Sequence, residues 1–226
     1  MTWLAVRELW ISFRLISLIA IFLVAGALVA ILPALGHRDA APWYAVALGV
    51  ASAGAGAVSA SLLSTERQRG TAAWLASRAV PRVTVLIGWF NAVLGAGVAG
   101  FVPGAALAWL TLLPAAPALD PLRFALAMLA VGSAAVAALA LGMLAGALVP
   151  PRRASLLTLL ACSALGTGSL AIPAARSFTP ASGYFLLAEL PAGWPLGRAL
   201  QATGIGLAAA ALLLTAAGLA LERADL

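Results

Sequence analysis

The sequence predicts an all-α integral membrane protein with six transmembrane helices in one domain, residues 1–226. The chain is 64% hydrophobic and 9% charged, with a mean hydropathy of +1.08, whereas soluble domains carry about 25% charged residues. A spanning helix needs about 20 apolar residues, and six charge-free runs reach that length without the ~10-residue alternation of barrel strands. The predicted spans cover approximately residues 15–35, 44–63, 83–113, 122–149, 154–172 and 198–221.

The distribution of arginines predicts the orientation of the spans. All 13 basic residues are arginines; nine fall at the two termini and in the second and fourth connections, and four fall on the other side. Because cytoplasmic segments carry the excess of positive charge, both termini are predicted to be cytoplasmic. The net charge of +6 fits this topology and anionic lipid headgroups, so the lipid bilayer is an expected partner and nucleic acid is not.

Two segments outside the spans are predicted to form helices at the membrane surface. Residues 2–14 place Trp3, Val6, Trp10 and Phe13 at helical spacing on one face, which is typical of an interfacial amphipathic helix. The connection 173–197 is too apolar for a solvated loop. We expect it to form short re-entrant helices that dip into the outer leaflet before the sixth span.

The chain carries few groups capable of chemistry at membrane depth. His37, the only histidine, falls in a predicted loop, and no acidic residue falls in the middle of a span. With no lysine, the chain cannot hold a Walker-type phosphate-binding loop. We therefore expect neither an enzyme nor a bound metal or cofactor, and any uphill transport must take its energy from a partner.

Two carboxamides fall within the predicted spans, Asn91 in the third and Gln201 in the sixth. A buried amide seeks hydrogen-bond partners, most often on a neighbouring helix. Asn91 and Gln201 are thus candidates either for helix–helix contacts or for the lining of a substrate path.

The most polar part of the chain is the charged segment, residues 64–82, between the second and third spans. Gly70 can relax the backbone after the span, Thr71 can cap a following helical turn, and Pro81 can stop that helix before the third span. Trp74 and Leu75 supply an apolar patch beside Glu66, Arg67, Arg69, Arg78 and Arg82. This composition predicts a short cytoplasmic helix that contacts a partner.

The charged segment resembles the same connection in ABC type-2 permeases, the membrane subunits of many bacterial exporters. The matching residues are Glu66-Arg67, Gly70-Thr71, Trp74-Leu75, Ser77 and Pro81-Arg82. The six-span layout and the N-terminal helix are also similar to that family. Two residues depart from its pattern, because Gln68 stands where a second acid is common and Trp74 is bulkier than usual.

The resemblance implies that the charged segment is a coupling helix, which fits into a groove of a separate ATPase subunit. The implied contact residues are Glu66, Arg67, Arg69, Gly70, Thr71, Trp74, Leu75, Arg78, Pro81 and Arg82. ATP and Mg would be bound by that ATPase subunit, and a second copy of this chain or a related permease would complete the complex. The expected location is the cell membrane of a bacterium or an archaeon.

The implied function is that of a permease subunit in an ATP-driven exporter. The apolar spans indicate a hydrophobic or amphiphilic substrate. Two alternatives stay open at the level of the sequence. One is a haem-handling ABC permease of the cytochrome c maturation type, and the other is a membrane scaffold or assembly protein without transport.

Overall fold

A computed structural model describes residues 13–31, 40–69, 81–115 and 120–223, and every regular element in these ranges is a helix. The six long helices are α1 (Arg14–Ile31), α2 (Ala40–Gln68), α3 (Arg82–Ala115), α4 (Pro121–Leu148), α5 (Pro151–Ala171) and α7 (Leu196–Arg223). Short helical segments at Pro173–Phe178, Ser182–Ala188 (α6) and Leu190–Ala192 connect α5 to α7.

Five of these helices are long and apolar enough to cross a membrane, namely α2 to α5 and α7. The chain is accordingly a helical, multi-pass membrane protein. The apolar part of α1 that the structure describes, Arg14–Val29, is shorter, and the predicted end of the first span at residue 35 lies outside the described residues.

Contacts between helices show that α1 runs parallel to α3 and α2 runs parallel to α4. Ile19 faces Gly100 while Phe22 faces Gly104, and Gly56 faces Gly142 while Ala60 faces Gly146. One end of the bundle, here called the basic end, carries Arg67, Arg69, Arg82, Arg152, Arg153 and Arg223. The opposite end carries Arg123, Arg176 and Arg198.

Glycines let two pairs of parallel helices approach backbone to backbone. Between α1 and α3, a Cβ on Gly104 would lie 2.6 Å from the Phe22 carbonyl oxygen. A Cβ on Gly26 or Gly100 would lie at least as close to the backbone of the other helix. Between α2 and α4, a Cβ on Gly146 would lie 2.7 Å from the carbonyl oxygen of Ala60. Such close approaches are how small residues promote helix association in membranes.

The second pair also has a hydrogen bond between its helices, from the Ser59 hydroxyl to the Leu139 carbonyl oxygen at 3.1 Å. Gly56, Ser59 and Ala60 belong to the small residues of the second span, and their contacts with α4 show that they pack against another helix. Gly49, from the same span, has open space where its Cβ would be.

Helices α5, α6 and α7 pack around α2 and α4. The Ser155 hydroxyl of α5 donates to the Ala57 carbonyl oxygen at 3.0 Å, and Gly206 of α7 lies against Ser133 of α4. In the connection, the Trp194 indole donates to the Leu186 carbonyl oxygen at 2.9 Å and closes the turn into α7. The bundle can thus be divided into two packed groups, α1 with α3 and α2 with α4 to α7. Helix α1 also packs against α2 across their boundary, whereas α3 has fewer contacts with each helix of the second group.

The structure changes two predicted boundaries at the membrane surface. The N-terminal helix was expected to reach residue 14, but Phe13 has a left-handed backbone with φ of 57° and Arg14 is the first residue of α1. Residues 1–12 lie outside the described ranges. The helix of the second span continues to Gln68 rather than ending near 63, since residues 64–68 contain neither glycine nor proline.

Candidate functional site

The described flanks of the charged segment are helical and belong to the bundle. Glu66 and Arg67 occupy the last turn of α2, where Thr65 donates its hydroxyl to the Ser61 carbonyl oxygen at 2.5 Å. The Glu66 side chain is only 12% exposed and lies 3.6 Å from the guanidinium of Arg69, which is 64% exposed. The start of the charged segment is therefore a helical continuation of α2.

Arg67 ties this extension to the end of α4. One of its Nη atoms donates to the carbonyl oxygens of Gly146, at 3.2 Å, and Ala147. The last carbonyls of a helix have no partner within the helix and carry partial negative charge, so a guanidinium is a favourable cap. Any displacement of the end of α2 would consequently pull on α4.

Arg82 makes the equivalent connection at the other flank. Its Nη1 atom donates to the carbonyl oxygens of Leu221, at 2.8 Å, and Glu222, at 3.2 Å, in the last turn of α7. Pro81 immediately precedes α3, and its carbonyl oxygen accepts from the Thr84 amide at 3.0 Å. Both flanks of the charged segment are thus attached to the ends of other spanning helices.

The predicted contact residues divide between described and undescribed parts of the chain. Gly70, Thr71, Trp74, Leu75 and Arg78 lie in residues 70–80, outside the described ranges. Their contact role stays a prediction. Of the flanking residues, Arg67 and Arg82 bind backbone carbonyls of their own chain, a role that their side-chain type alone did not indicate.

A second feature is an apolar groove of about 380 Å³ between α1, α3, α4 and α7. Phe22 and Phe101 form part of its wall, with their ring centroids 5.8 Å apart in an edge-to-face arrangement. The volume falls in the range of about 300–1,000 Å³ that is typical of small-molecule sites. The groove lies where the two packed groups of helices meet.

The groove offers almost no free polar group to a ligand. Its two hydroxyls bond within their own helices, Ser133 to the Ala130 carbonyl oxygen at 2.8 Å and Thr203 to that of Ala199 at 2.9 Å. Apolar side chains such as Leu94, Met128 and Leu207 form the remainder. The arrangement suits a hydrocarbon chain or ring rather than a charged group.

Neither of the two candidate path residues lines the groove. Asn91 is exposed on α3, one helical turn before the groove residue Leu94, and makes no hydrogen bond with any described residue. Gln201 is also exposed, and its amide donates to the Ser177 carbonyl oxygen at 3.4 Å. Gln201 borders a small polar pocket with Arg176, Ser182, Glu189 and Arg198.

Sequence reasoning missed the groove because four separate helices supply its residues. The exposed positions Val98 and Leu129 at its rim have the same residue types as lipid-facing positions. In the ranges that the structure describes, no three His, Cys, Asp or Glu side chains lie close enough to hold a metal ion. No protein family, curated protein or solved structure matches the chain.

Proposed function

We propose that this chain is the permease subunit of an ATP-driven exporter of the ABC type-2 class, with six spans and both termini in the cytoplasm. The support is the charged segment in the second connection, whose flanks are bonded to the ends of α4 and α7 through Arg67 and Arg82. A contact element fixed in this way can pass movement from a partner into the spans. In this proposal the connection after α5 forms re-entrant outer helices.

In the proposed mechanism this chain transmits movement and performs no chemistry itself. ATP and Mg are bound by a separate ATPase subunit, and closure of two ATPase subunits displaces residues 70–80 at each copy of the permease. Because α2 and α3 enter and leave that segment, they move first. Arg67 and Arg82 then carry the displacement to α4 and α7, whose contacts border the apolar groove.

The groove supports a hydrophobic or amphiphilic substrate. Its walls would receive the apolar part of the cargo, and the exposed amides of Asn91 and Gln201 near its ends would face any polar part. Movement of the two helix groups towards or away from each other would change access to the groove. The binding energy there is expected to come from apolar area removed from water.

The test is co-expression with a candidate ABC ATPase from the same genome, followed by Arg69→Gln in this chain. The Arg69 side chain is 64% exposed, so the substitution removes a charge that a partner can reach, and α2 should stay folded. We expect two quantities to fall at least fivefold: the amount of ATPase that co-purifies with this chain, and the ATP hydrolysis that this chain stimulates. The matched control is Arg152→Gln, an exposed charge at the same end but outside the charged segment.

Three results would contradict the proposal. One is full ATPase recovery and stimulation with both Arg69→Gln and Trp74→Ala. Another is an equal loss with Arg152→Gln, since that would indicate nonspecific attraction to the basic end. The third is that no ATPase of this class co-purifies with the wild-type chain.

A further inference from the structure

The end of the bundle opposite the basic end holds a small polar pocket, between the connection after α5 and the start of α7. The polar side chains that line it are Arg176, Ser182, Glu189, Arg198 and Gln201. Its volume is about 20 Å³, and a space of about 10–15 Å³ is enough for one water molecule. The pocket can therefore receive one oxygen-sized group, while the rest of a ligand would stay outside it.

One side chain that lines the polar pocket lacks the hydrogen bond that its burial requires. Ser182 is only 6% exposed, and its hydroxyl has no hydrogen-bond partner among the described residues. Other buried serines are bonded; for example, the hydroxyls of Ser59 and Ser133 donate to carbonyl oxygens at 3.1 and 2.8 Å. Because buried hydroxyls without a partner are costly and rare, Ser182 indicates that the pocket takes its missing partner from outside the chain.

Arg176 is held in position at the polar pocket by contacts that do not use all of its donors. Its Nε and Nη2 atoms donate to the carbonyl oxygens of Ser169 and Leu170, at 3.2 and 3.4 Å, near the end of α5. Its guanidinium carbon also lies 5.2 Å from the centroid of the Phe185 ring. A guanidinium has five N–H donors, so Arg176 keeps donors for a ligand, and the oxygens of a phosphate suit them well.

The charges of the polar pocket match a singly charged anion. Arg176 and Arg198 supply two positive charges, and the Glu189 carboxylate lies 3.4 Å from Arg198. This ion pair leaves one positive charge in the pocket. The neutral amide of Gln201 adds a further polar group at its edge. A phosphodiester, which carries one negative charge, would therefore neutralise the pocket.

The surface beside the polar pocket is apolar. Leu170 and Phe178 on one side, and Leu196 and Leu200 on α7, are exposed large hydrophobic side chains. Each is close in sequence to a residue that lines the pocket or bonds to Arg176. A soluble phosphate would make no use of these side chains, whereas the acyl chains of a lipid would pack against them.

We propose that the polar pocket binds a phosphate oxygen of an anionic phospholipid in the leaflet at this end of the bundle. The Ser182 hydroxyl and the Arg176 guanidinium donate to the phosphodiester, Arg198 balances its charge, and the acyl chains lie against Leu170 and Leu200. This inference goes beyond the proposed function, because the pocket is at the opposite end from the charged segment and needs no ATPase.

The test measures lipid binding by the purified chain in a neutral detergent, without an ATPase. The probe is phosphatidylglycerol, whose only charge is its phosphodiester, and native mass spectrometry counts the lipid that each chain retains. We expect the wild-type chain to retain one tightly bound phosphatidylglycerol. Arg198→Gln should weaken this binding about tenfold, because it removes a charged donor to the phosphate.

The matched control is Arg123→Gln. Arg123 lies at the same end of the bundle, is 42% exposed against 45% for Arg198, and also pairs with an acidic side chain. It does not line the polar pocket, so its loss should change phosphatidylglycerol binding by less than about twofold.

Ser182→Ala is the second variant, and it separates lipid binding from folding. It removes a hydroxyl that has no partner among the described residues, so without lipid the variant should melt no lower than wild type. Its affinity for phosphatidylglycerol should fall about fivefold. The lipid should accordingly raise the melting temperature of the variant less than that of wild type.

Four results would overturn the inference. These are equal retention by Arg123→Gln and Arg198→Gln, no retention by the wild-type chain, equally tight binding of phosphatidylcholine, and equally tight binding of glycerophosphoglycerol, which has no acyl chains. Retention of phosphatidylglycerol that depends on Arg198 and Ser182 would sustain the inference, even if no ATPase co-purifies and the exporter proposal fails.

Discussion

Individual arginines in this chain bind the ends of neighbouring helices, in addition to carrying positive charge. Arg67 and Arg82 were predicted to contact an ATPase subunit, and the structure shows each donating to carbonyl oxygens in the last turn of another helix. Arg69, by contrast, is 64% exposed and pairs only with Glu66 among the described residues. The same residue type thus has two physical roles within three positions.

The first prediction concerns Arg67→Met, which keeps an apolar stem but removes the donors to Gly146 and Ala147. Hydrogen bonds to charged groups contribute about 1.5–3 kcal/mol, so we expect the free energy of unfolding in mixed micelles to fall by that amount. Arg69→Met is the control, and as an exposed substitution it should change stability by less than about 0.5 kcal/mol. Equal effects of the two substitutions would show that the carbonyl contacts of Arg67 do not stabilise α4.

At the scale of helices, glycine positions determine which helices are neighbours. Gly142 and Gly146 of α4 lie against the backbone of α2 from Gly56 to Ser64, while Gly166 and Gly168 of α5 face open space. The sequence contains all of these glycines in similar apolar surroundings. Only the structure shows which glycines lie against a neighbouring backbone and which face open space.

The second prediction compares Gly142→Ala with Gly166→Ala. A Cβ on Gly142 would overlap the carbonyl oxygen of Gly56, so overpacking should destabilise the bundle by about 1–3 kcal/mol. A Cβ on Gly166 meets nothing within 4 Å, and the better helix propensity of alanine should leave stability unchanged or raise it by up to about 1 kcal/mol. Thermal unfolding of the two variants in one detergent measures the difference; similar melting temperatures would argue against close α2–α4 packing.

At the scale of the whole molecule, the apolar groove is an open concave surface that no single helix could form. It is lined by four helices from both packed groups and has a volume of about 380 Å³. In the proposed function, this groove would receive a small-molecule or lipid-like cargo.

The third prediction is that Gly132→Leu fills the groove and blocks binding of an apolar probe. A Cβ on Gly132 would be 3.7 Å from the Phe101 ring, an ordinary contact, so the larger side chain can enter the groove without backbone shifts. Binding of a pyrene-labelled phospholipid, followed by fluorescence, should weaken about tenfold. Gly204→Leu, on α7 with open space around it, is the control, and an equal loss there would mean that the probe binds elsewhere.

Much of the fold follows from the distribution of charge along the chain. The predicted spans from the second onward agree with α2 to α5 and α7 to within a few residues, because charged residues and prolines bound each apolar run. The extension of α2 to Gln68 was missed, since polarity was taken as the end of the helix although residues 64–68 contain neither glycine nor proline. Six spans and a cytoplasmic coupling helix stay predictions.

The candidate sites were less predictable, for a physical reason. Periodicity within one helix indicates which faces are apolar, but lipid and protein neighbours are equally apolar in a membrane. The pairing of Gly26 with Gly104 and the convergence of Phe22, Met128 and Leu207 on one groove therefore leave no separate trace in the sequence. Asn91 was identified as unusual, but its exposed position became known only from the structure.

The backbone contacts of α1 with α3 and of α2 with α4 make the stiffness of the bundle uneven. Helices that touch backbone to backbone cannot shift past each other without first separating, so we expect each pair to move as a unit. Relative movement is then expected between the pairs, where side chains such as Phe22 and Leu139 lie between the backbones. We therefore expect the larger conformational changes of the protein to be rotations of the pair α1 and α3 relative to the pair α2 and α4.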